Sequence, residues 1–214
     1  MIALVDYGAG NLASVRKALA AVGAEVFTPA APDDLGRARG VIVPGVGHFN
    51  ATRPLDDAWR HAFRDHVDAG VPLLGICVGL QWLFAGSEEE PGLPGLGVFP
   101  GVCARLPETS DPERPGAGAG RLSRKVPHVG WNSLSFARPS RLFAGIAEGA
   151  QVYFTHSYAA PVVDDTVAIC EYGVPFTAGA ERGLVSAAQF HPEKSGEVGL
   201  QVLRNWLGVT ASAA

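Results

Sequence analysis

The stretch "VPLLGICVGLQ", residues 71–81, sets a cysteine between two glycines at the end of an apolar run. Val71 to Ile76 form a short uncharged run that suits a strand buried on both faces, and the residues from Val78 to about Ala85 read as a helix. Cys77 then falls on the turn between them. Gly75 and Gly79 remove the side chains that would crowd so sharp a turn, in the manner of a nucleophile elbow with sulfur in place of oxygen. There the sulfur meets unpaired backbone N–H groups at a helix start, which favour the thiolate. A lone cysteine beside a strand is also at home as a small buried hydrophobe, so its surroundings must decide.

Outward from this strand the same alternation continues. "MIALV" reads as a strand, and Leu12, Val15, Leu19 and Val22 repeat at helical spacing. "AEVFT" and "GVIVPG" read as two more strands, followed by a helix on Leu55, Trp59, Phe63 and Val67. Strands alternating with helices predict an α/β fold, a mostly parallel, flavodoxin-like central sheet flanked by helices. The second half is richer in β pattern, at "GVCARL", "QVYFTHSY", "TVAICEY" and "GLVSAAQF", before a last helix carrying Leu200, Leu203 and Leu207. These pieces read as antiparallel strands added to the sheet. The expectation is one domain over residues 1–210, with a frayed tail at 211–214. Residues 107–125, rich in Pro, Gly and charge, read as a mobile insertion.

The chain has 214 residues, 47% of them apolar, enough for one full core. A net charge of -4 gives no basic stripe for a nucleic acid. No apolar run approaches the roughly 20 residues needed to span a bilayer, and no charged leader precedes "IALV", so a cytoplasmic location is expected. Cys77, Cys103 and Cys170 form no CxxC pair, which suggests reduced thiols and neither a disulfide framework nor a zinc site.

Three other motifs bear on the role of Cys77. "GAGNLA" gives Gly8, Gly10 and Ala13, the outline of a dinucleotide fingerprint, but the second strand ends "FTPA" without the acidic residue that holds a ribose. Those glycines read as turn positions. "QFHPEKS" offers His191 and Glu193, two apart in a segment that Pro192 keeps extended, so that the carboxylate can orient the imidazole. "VPGVGHF" ends a strand in Pro44, Gly45, Val46 and Gly47, where backbone N–H groups can approach a ligand. The N–H of Gly47, or of Val46 after reorientation, together with that of Val78, would suit an oxyanion hole. His48, His61, His66, His128 and His156 show no metal-ligand spacing, and His61 and His66 are expected on the polar side of their helix.

Taken together, "VPGVGHF", "GICVGLQ", "THSY" and "QFHPEKS", in this order, resemble the class I (triad) glutamine amidotransferases over almost the whole chain. "DYGAGN", "KVPHVGWN" and "YFTHSY" resemble, more narrowly, the family of glutaminase subunits of imidazole glycerol phosphate synthases. The resemblance implies Cys77 as nucleophile, His191 as general base and acid, and Glu193 as its orienter. It implies that Gln81, with backbone groups at Gly47, Ser157 and Tyr158, binds the amino-acid end of L-glutamine. Glutamate and ammonia would form through a γ-glutamyl thioester, without cofactor or metal. The ammonia would pass to a cyclase subunit, a (β/α)8 barrel in a one-to-one complex, which makes imidazole glycerol phosphate and AICAR from PRFAR in histidine biosynthesis. Pro127, Trp131, Asn132, Tyr153 and Lys194 would lie at that interface. As plain structure, "PHVGWN" reads instead as a turn and a core aromatic. The rival readings are the glutaminase of pyridoxal phosphate or anthranilate synthase, a cysteine hydrolase on a related sheet, and a catalytically silent binding module.

Overall fold

The computed structural model of the chain describes residues 1–108 and 125–212. Most of the expected insertion lies outside the described residues. So do 213–214 of the expected tail, while Ala211 and Ser212 continue the last helix.

The first third alternates as its apolar spacing requires: β1 (Ile2–Leu4), α1 (Leu12–Ala21), β2 (Val26–Phe27), β3 (Val41–Val43), α2 (Asp57–Asp68), β4 (Leu73–Ile76) and α3 (Val78–Leu83). Side chains stop the helices from starting elsewhere. Asn11 Oδ1 accepts from the Ser14 N–H at the head of α1, and Asp56 Oδ1 accepts from Ala58 and Trp59 at the head of α2. There follow β5 (Gly86–Ser87), β6 (Val102–Arg105), β7 (His128–Ser133), β8 (Ser135–Phe136), β9 (Gln151–His156), β10 (Tyr158–Ala159), β11 (Thr166–Glu171), β12 (Pro175–Arg182), β13 (Val185–Ala188) and α4 (Gly196–Ser212).

One eight-stranded sheet runs in the order β2-β1-β3-β4-β13-β12-β11-β8. Its first five strands are parallel and its last three antiparallel. Every residue of β1, β3, β4 and β13 is buried, so both faces of the sheet are covered. In the cover, α1 packs with α4, and α2 meets α3 where the rings of Phe63 and Trp82 cross edge to face with centres 5.0 Å apart. No helix among the described residues is long and apolar enough to cross a membrane.

Four expectations need correction. "TVAICEY" and "GLVSAAQF" join the main sheet, and β13 does so as a parallel strand. "GVCARL" instead belongs to a small sheet, β10-β6-β5, and most of "QVYFTHSY" forms a separate two-stranded ribbon with β7. "PHVGWN" is therefore strand, not turn, and Trp131 stands 56% exposed on it, not in the core. β12 has no strand pattern in the sequence, because Pro175, Gly179 and the charged pair Glu181 and Arg182 interrupt it. Finally, His66 is only 7% exposed, and burial lowers its pKa; His61 alone is on the polar side of α2.

Candidate active site

At the end of β4 the chain must reverse from strand to helix within one residue. Cys77 takes the strain, with φ 54 and ψ -107, the one positive φ outside glycine among the described residues. Such a conformation costs on the order of 1–3 kcal/mol. It is held by a 2.7 Å hydrogen bond from the Cys77 N–H to the Ala188 carbonyl of β13. The glycines on either side let α3 close onto the sheet. A Cβ on Gly79 would overlap the Val43 carbonyl oxygen, and one on Gly75 would lie 2.6 Å from the Gly79 carbonyl oxygen.

β13 is parallel to β4 and carries the chain through Gln189 and Phe190 to His191, on the same edge of the sheet. His191 donates its N–H to Tyr153 O at 2.9 Å and accepts at its own carbonyl from Ser195 Oγ at 2.7 Å. A 3-10 turn over Pro192–Lys194, not the expected extended segment, swings Glu193 back beneath the ring. His191 Nδ1 and Glu193 Oε1 are then 2.7 Å apart, with both side chains buried. An ionised carboxylate only accepts, so Nδ1 carries the hydrogen and Nε2 is the nitrogen left for chemistry. Nε2 has no hydrogen-bond partner among the described residues, yet the Cys77 sulfur lies near enough to affect the ring. Burial acts to lower the His191 pKa, but Cys77 and Glu193 outweigh it and raise it to about 9. A proton leaving the sulfur is therefore well received.

Cys77 opens on a cavity of about 250 Å³, lined among others by Val46, Gly47, Val78, Gln81, Ser157 and Tyr158. The residues expected at the oxyanion and substrate positions thus line the same cavity as Cys77, and so does Pro127. Gly47, at φ 94, sits in the left-handed region that its backbone needs there. Gln81 donates Nε2 to Tyr158 O at 2.8 Å and to Gln189 Oε1 at 3.3 Å. Larger grooves elsewhere, such as that of about 550 Å³ beside Arg141 and Arg204, contain none of these residues.

Sequence reasoning missed three neighbours. Glu89, hidden in a run of acidic residues, lines the cavity and accepts from the Phe49 N–H at 2.8 Å. Tyr7 donates its hydroxyl to Pro44 O at 2.5 Å, which anchors the start of the "PGVG" loop; burial first, and then the charge of Cys77, raise its pKa. Gln189, fully buried, places Nε2 3.7 Å from Cys77 Sγ. Only the last carried a signal in the sequence, as a polar residue between an apolar strand and His191.

The expected interface residues form a band beside His191. Trp131 meets Tyr153 edge-on at 6.1 Å, and Lys194 Nζ lies 5.7 Å from the centre of the Tyr153 ring. Asn132, next along β7, turns its amide inward, 3.3 Å from His128 Nε2. Burial pushes the thiol of Cys170 up to about 12, and that of Cys103 further in the same direction.

Residues 3–208 match the family model for glutamine amidotransferase class-I. The chain is 45% identical, over 98% of its length and 97% of the relative's, to the imidazole glycerol phosphate synthase subunit HisH of Geobacillus kaustophilus. It is 42% identical to the subunit of the same name from Methanothermobacter thermautotrophicus, over 98% of both chains. Among solved structures, a crystal structure of a glutamine amidotransferase aligns with a TM-score of 0.71 at 19% identity, covering 99% of this chain and 100% of that one. PurLQS from Thermotoga maritima aligns at 0.70 and 18%, covering 97% of each chain.

Proposed function

Because the chain belongs to the class I glutamine amidotransferases, we propose that it is the glutaminase subunit of an imidazole glycerol phosphate synthase. It hydrolyses L-glutamine to glutamate and ammonia and delivers the ammonia to a partner subunit. The observation that carries this reading is the strained Cys77 beside the His191–Glu193 pair, 2.7 Å between ring and carboxylate, at the floor of an amino-acid-sized cavity.

In this reading Cys77 Sγ gives its proton to His191 Nε2 and attacks the side-chain amide carbon of glutamine. The oxygen that becomes negative is met by the N–H of Val78 and by that of Gly47 or Val46. His191, its charge stabilised by Glu193, returns the proton to the departing nitrogen, and ammonia leaves a γ-glutamyl thioester. Water, deprotonated by the same imidazole, then releases glutamate. At the other end of the substrate, Glu89 supplies a carboxylate to the α-ammonium group, and Gln81, whose Nε2 is spent on Tyr158 and Gln189, offers its oxygen. Backbone groups at Ser157 and Tyr158 complete that end.

Ammonia released into water would be largely protonated and no longer nucleophilic, so transfer inside a complex is the chemically sound route. The partner we propose is a HisF-like cyclase, a (β/α)8 barrel, seated one-to-one on the band of Pro127, Trp131, Tyr153 and Lys194. Asn132 supports that band from inside. With that pathway comes a cytoplasmic location. The test is glutaminase activity of the purified chain, alone and with the cyclase loaded with its substrate. A large rise confined to the loaded complex is expected. Strong activity indifferent to the cyclase would point to another amidotransferase, and silence in both states would overturn the reading.

A further inference from the structure

A run of hydrogen bonds, of which the mechanism above uses only the Gln81 amide, leads through buried side chains to the nucleophile. Its polarity is decided by backbone carbonyls, which can only accept. Tyr158 O takes the Gln81 Nε2–H at 2.8 Å and faces His156 Nδ1 at 2.9 Å. The imidazole therefore carries its hydrogen on Nδ1. The second N–H of the Gln81 amide points at Gln189 Oε1, at 3.3 Å. This fixes the Gln189 carboxamide with its oxygen toward Gln81 and its NH2 toward Cys77 Sγ, at 3.7 Å. The flipped amide would set two NH2 groups against each other and an oxygen against the sulfur.

On the far side of Tyr158 the polarity continues. His156 Nε2, left without hydrogen, accepts from His128 Nδ1 at 3.1 Å, and His128 Nε2 accepts from Asn132 Nδ2 at 3.3 Å. Asn132 is itself pinned, since Nδ2 also donates to Glu171 O at 3.1 Å and Oδ1 accepts from the Ser133 N–H at 2.8 Å. Every link agrees in direction, and an extra proton on either imidazole would bring two donors face to face. Burial favours the neutral rings throughout, lowering the pKa of His128 to about 4 and that of His156 to about 3.

We infer that Gln189 is a further catalytic residue, holding an N–H against the nucleophile sulfur, and that His128 and His156 are positioning residues that hold the Tyr158 carbonyl in place and with it the Gln81 and Gln189 amides. The inference rests on Cys77 being the nucleophile of the proposed glutaminase. As a thiol, Cys77 has the Thr155 carbonyl 4.0 Å away to receive its S–H. Once the proton passes to His191, the sulfur can only accept, and the N–H of Gln189 is already aimed at it. A hydrogen bond to an ionised acceptor is roughly twice as strong as a neutral one, so this contact favours the thiolate over the thiol. The far end of the run lies in β7, one residue from the exposed Trp131, so it also joins the proposed partner face to the sulfur.

The test uses the complex with its cyclase and four variants: Gln189→Leu, the isosteric Gln189→Glu, His128→Phe and His128→Asn. The rate of Cys77 alkylation by iodoacetamide at neutral pH is read by site-resolved mass spectrometry, beside kcat and KM for glutamine. Both Gln189 variants should slow alkylation and lower kcat by about tenfold, with Gln189→Glu the slower because its carboxylate repels the thiolate. His128→Phe, which keeps the ring but loses both hydrogen bonds, should slow both about threefold. His128→Asn, with an N–H near the former Nδ1, should restore most of the loss. A structural role alone would lower the melting temperature and leave the alkylation rate of folded protein unchanged. Wild-type alkylation in both Gln189 variants, or no rescue by asparagine, would overturn the inference. A wild-type complex that fails to hydrolyse glutamine would instead sink the glutaminase reading, and the alkylation rates would still decide the contact.

Discussion

The Cys77 elbow and the β7–β9 ribbon border the same cavity, and they are built by opposite means. At the elbow, backbone meets backbone: Gly75 and Gly79 let α3 lie against β3 and β4, and a hydrogen bond to Ala188 holds the strained residue. In the ribbon the inner face carries a polar seam beside Val152 and Phe154, with His128 bonded to both His156 and Asn132, and the outer face leaves Val129 and Trp131 each 56% exposed. Tight packing leaves the elbow one conformation, which suits a nucleophile. An apolar face turned to solvent beside a polar seam suits a surface that a partner covers.

If the elbow is the chemical half, its changes should be the most damaging and should leave the partner's chemistry alone. Cys77→Ala is expected to reduce glutamine-dependent synthesis by on the order of 10⁴-fold or more, while the complex still uses added ammonium salts. Loss of the ammonium-driven reaction as well would erase the division between the two regions. The next largest effect should come from Gly79→Ala. The added methyl overlaps the Val43 carbonyl, which belongs to backbone that cannot move aside cheaply. A loss of about 3 kcal/mol in unfolding free energy by denaturant titration is expected, together with most of the glutaminase activity. An unchanged midpoint would mean that the elbow is less tightly packed than its glycines imply.

On the ribbon side, Trp131→Ala tests the surface. With the side chain already exposed, the stability of the isolated chain should stay within about 0.5 kcal/mol. Affinity for the cyclase, measured by calorimetry, should fall by about 30-fold, as for a buried aromatic anchor. Unchanged affinity would remove the ribbon from the interface.

The same contrast explains what could be read in the sequence. The elbow is local: the glycines two residues either side of Cys77, and His191 two residues from Glu193, announce themselves by spacing. So do β1, β3 and β4, as short apolar runs before helical spacing, whereas β13 reads from sequence as an added antiparallel strand and is parallel to β4. What was hidden depends on neighbours distant in the chain. β12 is a strand because β11 and β13 flank it, despite its proline and charges. Glu89 reads as one of three surface acids until the fold brings it to the cavity. The polar seam joins residues 128, 132, 156, 81 and 189, which no local pattern connects, and His128 and His156 are brought together by the pairing of β7 with β9.

The smallest predicted effect comes from that seam. An ordinary histidine titrates near 6.5, whereas His128 stays neutral down to about 4 and His156 to about 3, first because burial disfavours their charged forms. As pH falls below about 6.5, the unfolded chain takes up protons that the folded chain refuses, so stability falls with pH; above that value this source contributes no slope. His156 also faces His191, whose positive charge depresses it further. His66 bends the curve in the same direction, so the wild-type slope alone does not isolate the seam. The informative quantity is a difference: between pH 7 and pH 5, His128→Asn should lose about 1 kcal/mol less stability than the wild type. That variant keeps a donor toward His156 and removes one titrating ring. Equal losses in the two proteins would mean that His128 titrates as it does in the unfolded chain. The seam would then be no more closed to protons than the exposed face beside it.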